Sequence, residues 1–188
     1  MNFKTTHVAI IVYGEKSSSR ISNILTKLNV RHTMLFPHDI PEFSTLFTHI
    51  ILSGGPRYTH TSEDNIGHYL PRWIIKSKIP VLGIAYGMQL IVDVFGGVVE
   101  RLPQKEVGSV KIVTLIEKDG KLFEQIDSVW MNRYDGITEL PDTFEIISTT
   151  EKGDIAAITD NDLWWGVQYH PESDKMPHET TFTSFLKM

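Results

Sequence analysis

Short apolar runs alternate with amphipathic segments along the first half of the chain. The runs are nearly continuous, which is typical of strands buried on both faces of a parallel sheet. Between them, apolar residues recur at three- and four-residue spacing, which predicts helices. We expect strands over 7–13, 32–36, 48–53 and from 79 onward, and helices from the cap candidates at 17–19 through 28, over 63–76 with a distortion at Pro71, and up to Phe95.

After Val98 the pattern changes to shorter strands separated by turns such as Lys118-Asp119-Gly120. The alternation in the first half predicts an α/β fold: an open, mostly parallel twisted sheet with helices on both faces. The second half predicts a small antiparallel layer. We interpret residues 1–188 as a single domain. The expected elements of the second half are strands over 110–115, 128–131, 145–149, 155–159 and 163–169, and a helix over 179–186.

Composition and charge exclude several kinds of function for this protein. The 188 residues carry a net charge of −5 and are 41% hydrophobic, which is ordinary for a soluble globular protein. Such a charge gives no case for nucleic acid or an anionic membrane as a partner. The apolar runs are too short to span a bilayer, and no signal-peptide pattern precedes the first strand, so we expect a cytoplasmic protein. The absence of cysteine excludes disulfides and thiolate metal sites, and the eight histidines are scattered, so we expect no metal and no cofactor.

One strand–turn–helix junction has the spacing of a nucleophile elbow, Gly83-x-Ala85-x-Gly87. In such a turn a residue on a sharp bend projects its side chain into a cleft. The flanking glycines are needed because a Cβ atom there would collide with the neighbouring strand and helix. At the tip, where serine or cysteine is expected, this sequence has alanine.

Four separated motifs, taken together and in this order, resemble the class I (triad) glutamine amidotransferase family, most of all the glutaminase part of GMP synthetases. The resemblance extends from the first strand to Glu172 and implies the flavodoxin-like fold of that family. No single motif would be specific alone. The motifs are Gly54-Gly55-Pro56, the stretch from Gly83 to Gln89, Trp130-Met131-Asn132-Arg133-Tyr134-Asp135, and Gly166-Val167-Gln168-Tyr169-His170-Pro171-Glu172.

The resemblance implies a role for particular residues. Position 85 corresponds to the catalytic cysteine, His170 to the general base, and Glu172 to the carboxylate that orients it. The backbone N–H groups of Gly55 and Tyr86 correspond to the oxyanion hole. The implied substrate-binding residues are Gly54, Gln89, Asn132, Arg133, Tyr134 and Asp135.

The sequence departs from the family pattern at three places. With Ala85 no covalent glutamyl intermediate can form, and losing a triad nucleophile costs on the order of 10⁶-fold in rate. GMP synthetases usually have Ser-His-Gly-Asp, a glutamine-binding loop, where this chain has residues 132–135; only Asp135 agrees. In that loop, Arg133 is either a solvated side chain or a contact for an anion such as a phosphate. Near the N-terminus, Tyr13-Gly14-Glu15-Lys16 replaces Phe-Gly-Ser-Gln.

Two explanations of Ala85 remain open. Either the alanine was introduced into a cysteine enzyme, or the chain is a natural pseudoenzyme. The intact elbow, His170 and Glu172 favour the first, because drift after loss of function would be expected to erode them.

Three functions are compatible with the motifs. The leading one is a glutaminase subunit that hydrolyses L-glutamine and supplies ammonia to a separate ATP-dependent synthetase. The second is a stand-alone hydrolase of a γ-glutamyl conjugate, suggested by the altered residues 132–135. The third is a catalytically inactive scaffold or glutamine-sensing subunit.

Overall fold

The computed structural model describes residues 3–39, 46–55, 69–115 and 126–188. Within these ranges the chain forms one mixed sheet of nine strands with four helices. In chain order the elements are β1 (His7–Ile11), α1 (Glu15–Lys27), β2 (Arg31–Leu35), β3 (His49–Leu52), α2 (Arg72–Lys76), β4 (Val81–Ile84), α3 (Tyr86–Val94), β5 (Val98–Thr114), β6 (Ser128–Glu139), β7 (Glu145–Thr150), β8 (Ile155–Thr159), β9 (Trp164–Val167) and α4 (Glu179–Phe185).

The sheet confirms the predicted α/β architecture. Strands β2, β1, β3, β4 and β9 lie side by side and are all parallel. Strands β8, β7, β5 and β6 continue the same sheet in antiparallel pairing, so the expected second layer is an extension of the first. The last strand, β9, is placed beside β4, which brings the C-terminal motif next to the elbow.

Helices cover both faces of the sheet, as predicted. Side chains of β1 alternate between two cores: Val8 and Ile10 belong to the core that includes α1 and α4, while Ala9 and Ile11 belong to the core with α2 and α3. This alternation follows from the two-residue period of a strand. All four of these side chains are fully buried, which explains why none of them is polar.

Several predicted boundaries are wrong. Helix α1 begins at Glu15, directly after Gly14, so the serines at 17–19 lie inside the helix and do not cap it. Helix α2 begins only at Arg72, because the residue before Pro71 is held out of the helical region; the predicted residues 63–68 lie outside the described chain. The predicted turn at 118–120 and Pro56 also lie outside it.

The largest difference concerns β5 and β6. The two short strands expected at 110–115 and 128–131 are parts of strands of 17 and 12 residues that pair as a long hairpin. Residues 132–135, expected to form a loop, therefore lie in the middle of β6. The cause is visible in the burial pattern, because Met131, Arg133 and Asp135 alternate inward while Asn132 and Tyr134 face outward.

Candidate active site

Three neighbouring parallel strands end at the same edge of the sheet. Leu52 of β3 lies opposite Gly83 of β4, and Ile84 of β4 lies opposite Val167 of β9. In open α/β sheets this carboxyl edge is where ligands bind. The segments that leave the sheet here are Gly54-Gly55, Ala85-Tyr86 and His170-Pro171-Glu172.

Ala85 forms a strained turn between β4 and α3. Its φ and ψ are 49° and −103°, a backbone conformation that residues other than glycine rarely adopt. Two hydrogen bonds fix it: its N–H donates to the carbonyl of Val167 at 2.7 Å, and its carbonyl accepts from the N–H of Gln89 at 3.1 Å. The backbone of residue 85 therefore has the bend expected of a nucleophile elbow.

The two glycines of the elbow have no room for a side chain. A Cβ atom on Gly83 would lie 2.6 Å from Cδ1 of Ile91 and 2.7 Å from the carbonyl of Gly87. A Cβ atom on Gly87 would lie 2.4 Å from the carbonyl oxygen of Leu52. Contacts this short essentially never occur for a real Cβ, so the predicted steric reason for both glycines is confirmed.

His170 and Glu172 form the pair that the sequence predicts. Nδ1 of His170 lies 2.9 Å from Oε1 of Glu172, whose side chain is 1% exposed. The same carboxylate oxygen accepts a hydrogen bond of 2.6 Å from Oγ of Ser17, which in turn accepts one of 3.0 Å from the N–H of Gly54. Ser17 was missed as a site residue, because its position on the inward side of α1 is a property of the fold.

The pKa of His170 is raised above its ordinary value of 6.5. Burial is the largest single influence and lowers it, but the hydrogen bond and the negative charge of Glu172, together with the backbone of Asn132, outweigh burial. The positive charge of Arg20 opposes them weakly. The carboxylate therefore favours the imidazolium form, which a general base acquires during its reaction.

The expected oxyanion-hole segment approaches both the elbow and the histidine. A Cβ atom on Gly55 would lie 2.8 Å from Cδ1 of Tyr86, and one on Gly54 would lie 3.0 Å from Cε1 of His170. Glycine at both positions thus lets the backbone come close to these two side chains. The oxyanion-hole role of Gly55 and Tyr86 stays a prediction.

A cavity of about 170 Å³ lies at this point, and most of the predicted site residues line it. A second cavity, of about 480 Å³, shares Gly55, Asn132 and His170 with the first and is lined by Gly54 and Glu172 as well. The smaller cavity is lined by Gly55, Ala85, Tyr86, Gln89, Lys105, Asn132, Arg133, Tyr134, Asp135, Gln168 and His170.

Gln89 lies on the first turns of α3 with its amide held in place. Its Nε2 donates to Oε1 of Gln168 at 3.3 Å and to the carbonyl of Asp135 at 3.4 Å. Gln168, another residue that sequence reasoning left without a role, therefore fixes the amide that was expected to line the substrate pocket. Gln89 thus joins α3 to β6 through Asp135 and to the end of β9 through Gln168.

The expectation that Arg133 is a solvated loop residue is wrong. Its side chain is 2% exposed, and its guanidinium binds the carboxylates of Glu106 on β5 and Asp154 at 2.7 and 2.9 Å. It is neither a solvated side chain nor part of a loop, and its anionic partners belong to the protein. A direct contact between Arg133 and a substrate stays a prediction.

Tyr134 and Asp135 connect the cavity to two further cations. The guanidinium carbon of Arg101 and Nζ of Lys105 each lie 4.6 Å from the centre of the Tyr134 ring. Arg101 also lies 3.4 Å from the carboxylate of Asp135, which is buried. Neither cation was singled out from the sequence, because only the register of the hairpin places them here.

Two kinds of feature are absent from the part of the chain that the structure describes. Among residues 3–39, 46–55, 69–115 and 126–188, no group of three or more His, Asp or Glu side chains is arranged to hold a metal ion. In those same ranges no helix has the length and apolar character needed to cross a membrane.

Comparison with known proteins identifies the family. The model for class-I glutamine amidotransferases matches residues 10–188, so the chain belongs to that family, as the motifs indicate. Within it, the chain is 38% identical over 169 residues to the glutamine-hydrolysing GMP synthase of Thermotoga petrophila and 36% identical over 172 residues to that of Listeria innocua. Each alignment covers 88% of this chain and 32% of the relative, so the chain spans about a third of the length of these synthases.

Solved structures agree with the fold. The chain superposes with a TM-score of 0.83 on a GMP synthase subunit from Thermoplasma acidophilum, described as putative, at 23% identity, covering 97% of this chain and 92% of the other. A glutamine amidotransferase from Thermotoga maritima gives a TM-score of 0.74 at 23% identity, covering 97% and 81%. The mixed sheet with its antiparallel C-terminal strands is therefore the class I amidotransferase fold.

Proposed function

We propose that the cavity beside Ala85 binds L-glutamine and that the chain is the glutaminase unit of a GMP-synthetase-like system, inactive as written because residue 85 is alanine. One observation carries the proposal: the strained elbow at Ala85 and the imidazole of His170, held by Glu172, meet at a single cavity. The family adds support, since relatives with 38% identity are glutamine-hydrolysing GMP synthases.

With cysteine at position 85 the arrangement can perform amide hydrolysis. His170 would accept the thiol proton on Nε2, since its Nδ1 faces Glu172. The thiolate would attack the carboxamide carbon of glutamine while the N–H groups of Gly55 and Tyr86 stabilise the oxyanion. The imidazolium would then protonate the departing nitrogen, which releases ammonia and leaves a γ-glutamyl thioester. Water, deprotonated by His170, would convert the thioester to glutamate and restore the thiol.

The alanine removes the attacking atom and leaves the rest of the site in place. A methyl group occupies less space than a thiol-bearing side chain, so the cavity keeps room for the carboxamide. The strain at Ala85 costs about 1–3 kcal/mol, and nothing in an inactive chain requires that strain. This supports an alanine introduced at a cysteine position over a long-inactive natural chain; the native codon at position 85 decides between them.

The test separates binding from turnover. The chain as written should bind L-glutamine in a calorimetric titration and release no glutamate. Ala85→Cys should release glutamate, and Ala85→Cys combined with His170→Asn should not. Binding without turnover in the cysteine variant, alone and with a synthetase, would favour the scaffold or glutamine-sensing function. Absence of glutamine binding to the unchanged chain would overturn the proposal.

The partner follows from the same proposal. In the proposed system, ammonia released at the elbow is consumed by an ATP-dependent synthetase unit, and the related synthases are about three times as long as the region they share with this chain. We expect Ala85→Cys to be more active when mixed with the synthetase part of a related GMP synthase. The measurement is glutamate release with and without that protein, ATP and its nucleotide substrate. An unchanged rate would argue against this partner.

The larger cavity favours a second candidate function. At about 480 Å³ it adjoins the smaller one at His170, the group that would protonate the leaving nitrogen, and it has room for an amine bigger than ammonia. A hydrolase of γ-glutamyl conjugates would place the amine there. The comparison is kcat/KM of Ala85→Cys on glutamine and on a γ-glutamyl alkylamide. A clear preference for glutamine would remove this candidate.

A further inference from the structure

The long hairpin contains an irregularity directly over the smaller cavity. Arg101 of β5 lies opposite Asp135 of β6, and Glu106 lies opposite Arg133. Four residues of β5, 102–105, therefore face a single residue of β6, Tyr134. Bulges of this kind bend a strand and redirect its side chains, and they are frequent beside active sites.

The bulge directs Lys105 to the cavity that also contains Ala85 and Gln89. Nζ of Lys105 lies 4.6 Å from the centre of the Tyr134 ring, a distance at which the ring attracts the ammonium group. Tyr134 occupies the position at which the sequence departs from the family pattern of glycine. The tyrosine thus supplies a surface that a glycine could not offer to the lysine.

Lys105 differs from Arg133, which also lines the cavity, in having no carboxylate partner in the part of the chain that the structure describes. Arg133 is neutralised by Glu106 and Asp154, and its side chain is almost completely buried. Among the described residues, no carboxylate lies within ion-pair distance of Lys105. Lys105 is therefore the exposed cation of the cavity lining, and no carboxylate of the described residues competes with an anionic ligand for it.

A γ-glutamyl substrate carries a group that such a cation recognises. When its carboxamide lies at residue 85, the other end of the molecule bears an α-carboxylate and an α-ammonium group. The buried Asp135 has the sign that suits the ammonium, and Lys105 has the sign that suits the carboxylate. We propose that Lys105, positioned by the 102–105 bulge and the Tyr134 ring, binds the α-carboxylate of the substrate. This inference rests on the proposed glutamine site and names a specificity residue within it.

The experiment compares two ligands on the chain as written, which cannot turn them over. L-Glutamine and 4-aminobutanamide differ only by the α-carboxylate. Lys105→Met should weaken binding of glutamine roughly tenfold or more and leave binding of 4-aminobutanamide unchanged, because a charge-assisted contact is lost only for the first. Lys105→Arg should retain most of the affinity. Lys111→Met, an exposed lysine of β5 outside the cavity lining, is the matched control and should bind as the unchanged chain does.

A second readout uses turnover. In the Ala85→Cys background, Lys105→Met should raise KM for glutamine and leave kcat nearly unchanged, since the contact is the same in the ground state and the transition state. Equal glutamine affinities for the unchanged chain and Lys105→Met, or equal weakening for both ligands, would overturn the inference while leaving the glutamine site intact. If the unchanged chain binds no glutamine, the proposed function and this inference both fail.

Discussion

The two sides of the smaller cavity are held in place by different forces. On the elbow side, at the ends of β3, β4 and β9, the backbone is fixed by close contact: Gly87 lies against the carbonyl of Leu52, and Ala85 is bent between two hydrogen bonds. On the hairpin side, in β5 and β6, charged side chains have this role, with Arg133 joining Glu106 to Asp154. Steric packing therefore positions the residue that would react, and ion pairs position the wall that faces the substrate.

This difference has a functional consequence. Contacts between backbone atoms leave almost no freedom to a residue, which suits a nucleophile that must be placed within a fraction of an ångström. A buried ion-pair network can be replaced as a whole by other well-packed side chains, although removal of a single member is costly, so the wall can depart from the family pattern while the elbow is kept. The residues at 132–135 that depart from the family pattern all lie in β6, on the hairpin side of the cavity.

Gly87→Ala should have the largest effect on stability. Its Cβ would lie 2.4 Å from the carbonyl oxygen of Leu52, so β3 and α3 must separate, which we expect to cost about 3 kcal/mol of unfolding free energy. The matched control is Gly108→Ala in the hairpin, where φ is +136° but no atom lies within 4 Å, and where only conformational strain of about 1 kcal/mol applies. Urea unfolding of both variants measures the difference. Equal losses would contradict the steric account of the elbow.

Arg133→Met should have the next largest effect. It leaves Glu106, which is 14% exposed, without its buried partner, and we expect a loss of about 2 kcal/mol, below the range for fully buried pairs because Asp154 is partly exposed. Lys152→Met is a matched control, because Lys152 contacts the same carboxylate at 3.5 Å from a side chain that is 78% exposed. Its loss should stay below about 0.5 kcal/mol. Similar values from unfolding curves would show that burial does not distinguish the two cations.

The same difference explains how much could be predicted from the sequence. The elbow and the Gly54-Gly55 segment were predictable, since each is a local motif at the end of an apolar strand whose direction follows from the α/β alternation. The His170–Glu172 pair was predictable only from the resemblance to the family, because its strand lies in the half of the chain where an antiparallel layer was expected.

The contacts made by the hairpin of β5 and β6 were not predictable. Arg133 looked like a loop residue because its partners are distant in the sequence: Glu106, 27 residues away, meets it through strand register, and Asp154, 21 residues away, lies directly before β8. The position of Lys105 beside the cavity could not be predicted either, because a bulge leaves no pattern in the spacing of hydrophobic residues.

Ala85→Gly tests whether the elbow is strained by the side chain that it carries. Glycine adopts φ near 49° without penalty, so we expect the free energy of unfolding to stay equal or to rise by about 1 kcal/mol. Ala157→Gly in β8 is the control, because Ala157 is equally small and completely buried but lies inside a strand and has no positive φ. There the same change should lower stability by about 1 kcal/mol. Losses of the same size at both positions would mean that Ala85 bears no strain.

His170 should produce the smallest effect, and one that depends on pH. Its pKa is raised in the folded chain: burial, the largest influence, lowers it, and the hydrogen bond and charge of Glu172 outweigh that influence. A group whose pKa is higher in the folded state stabilises the fold fully below its unfolded pKa, near 6.5, and loses that contribution as the pH rises through the folded pKa. The difference in unfolding free energy between the unchanged chain and His170→Gln should therefore be largest near the lower end of a series begun at about pH 6 and should shrink as the pH increases. With Glu172→Gln as the background the pH dependence should reverse, because burial, the largest influence, is then no longer outweighed and lowers the pKa of His170. If the difference in unfolding free energy between the unchanged chain and His170→Gln grows with pH, burial has a larger effect on the pKa of His170 than Glu172 has. The imidazole would then be neutral in the folded chain.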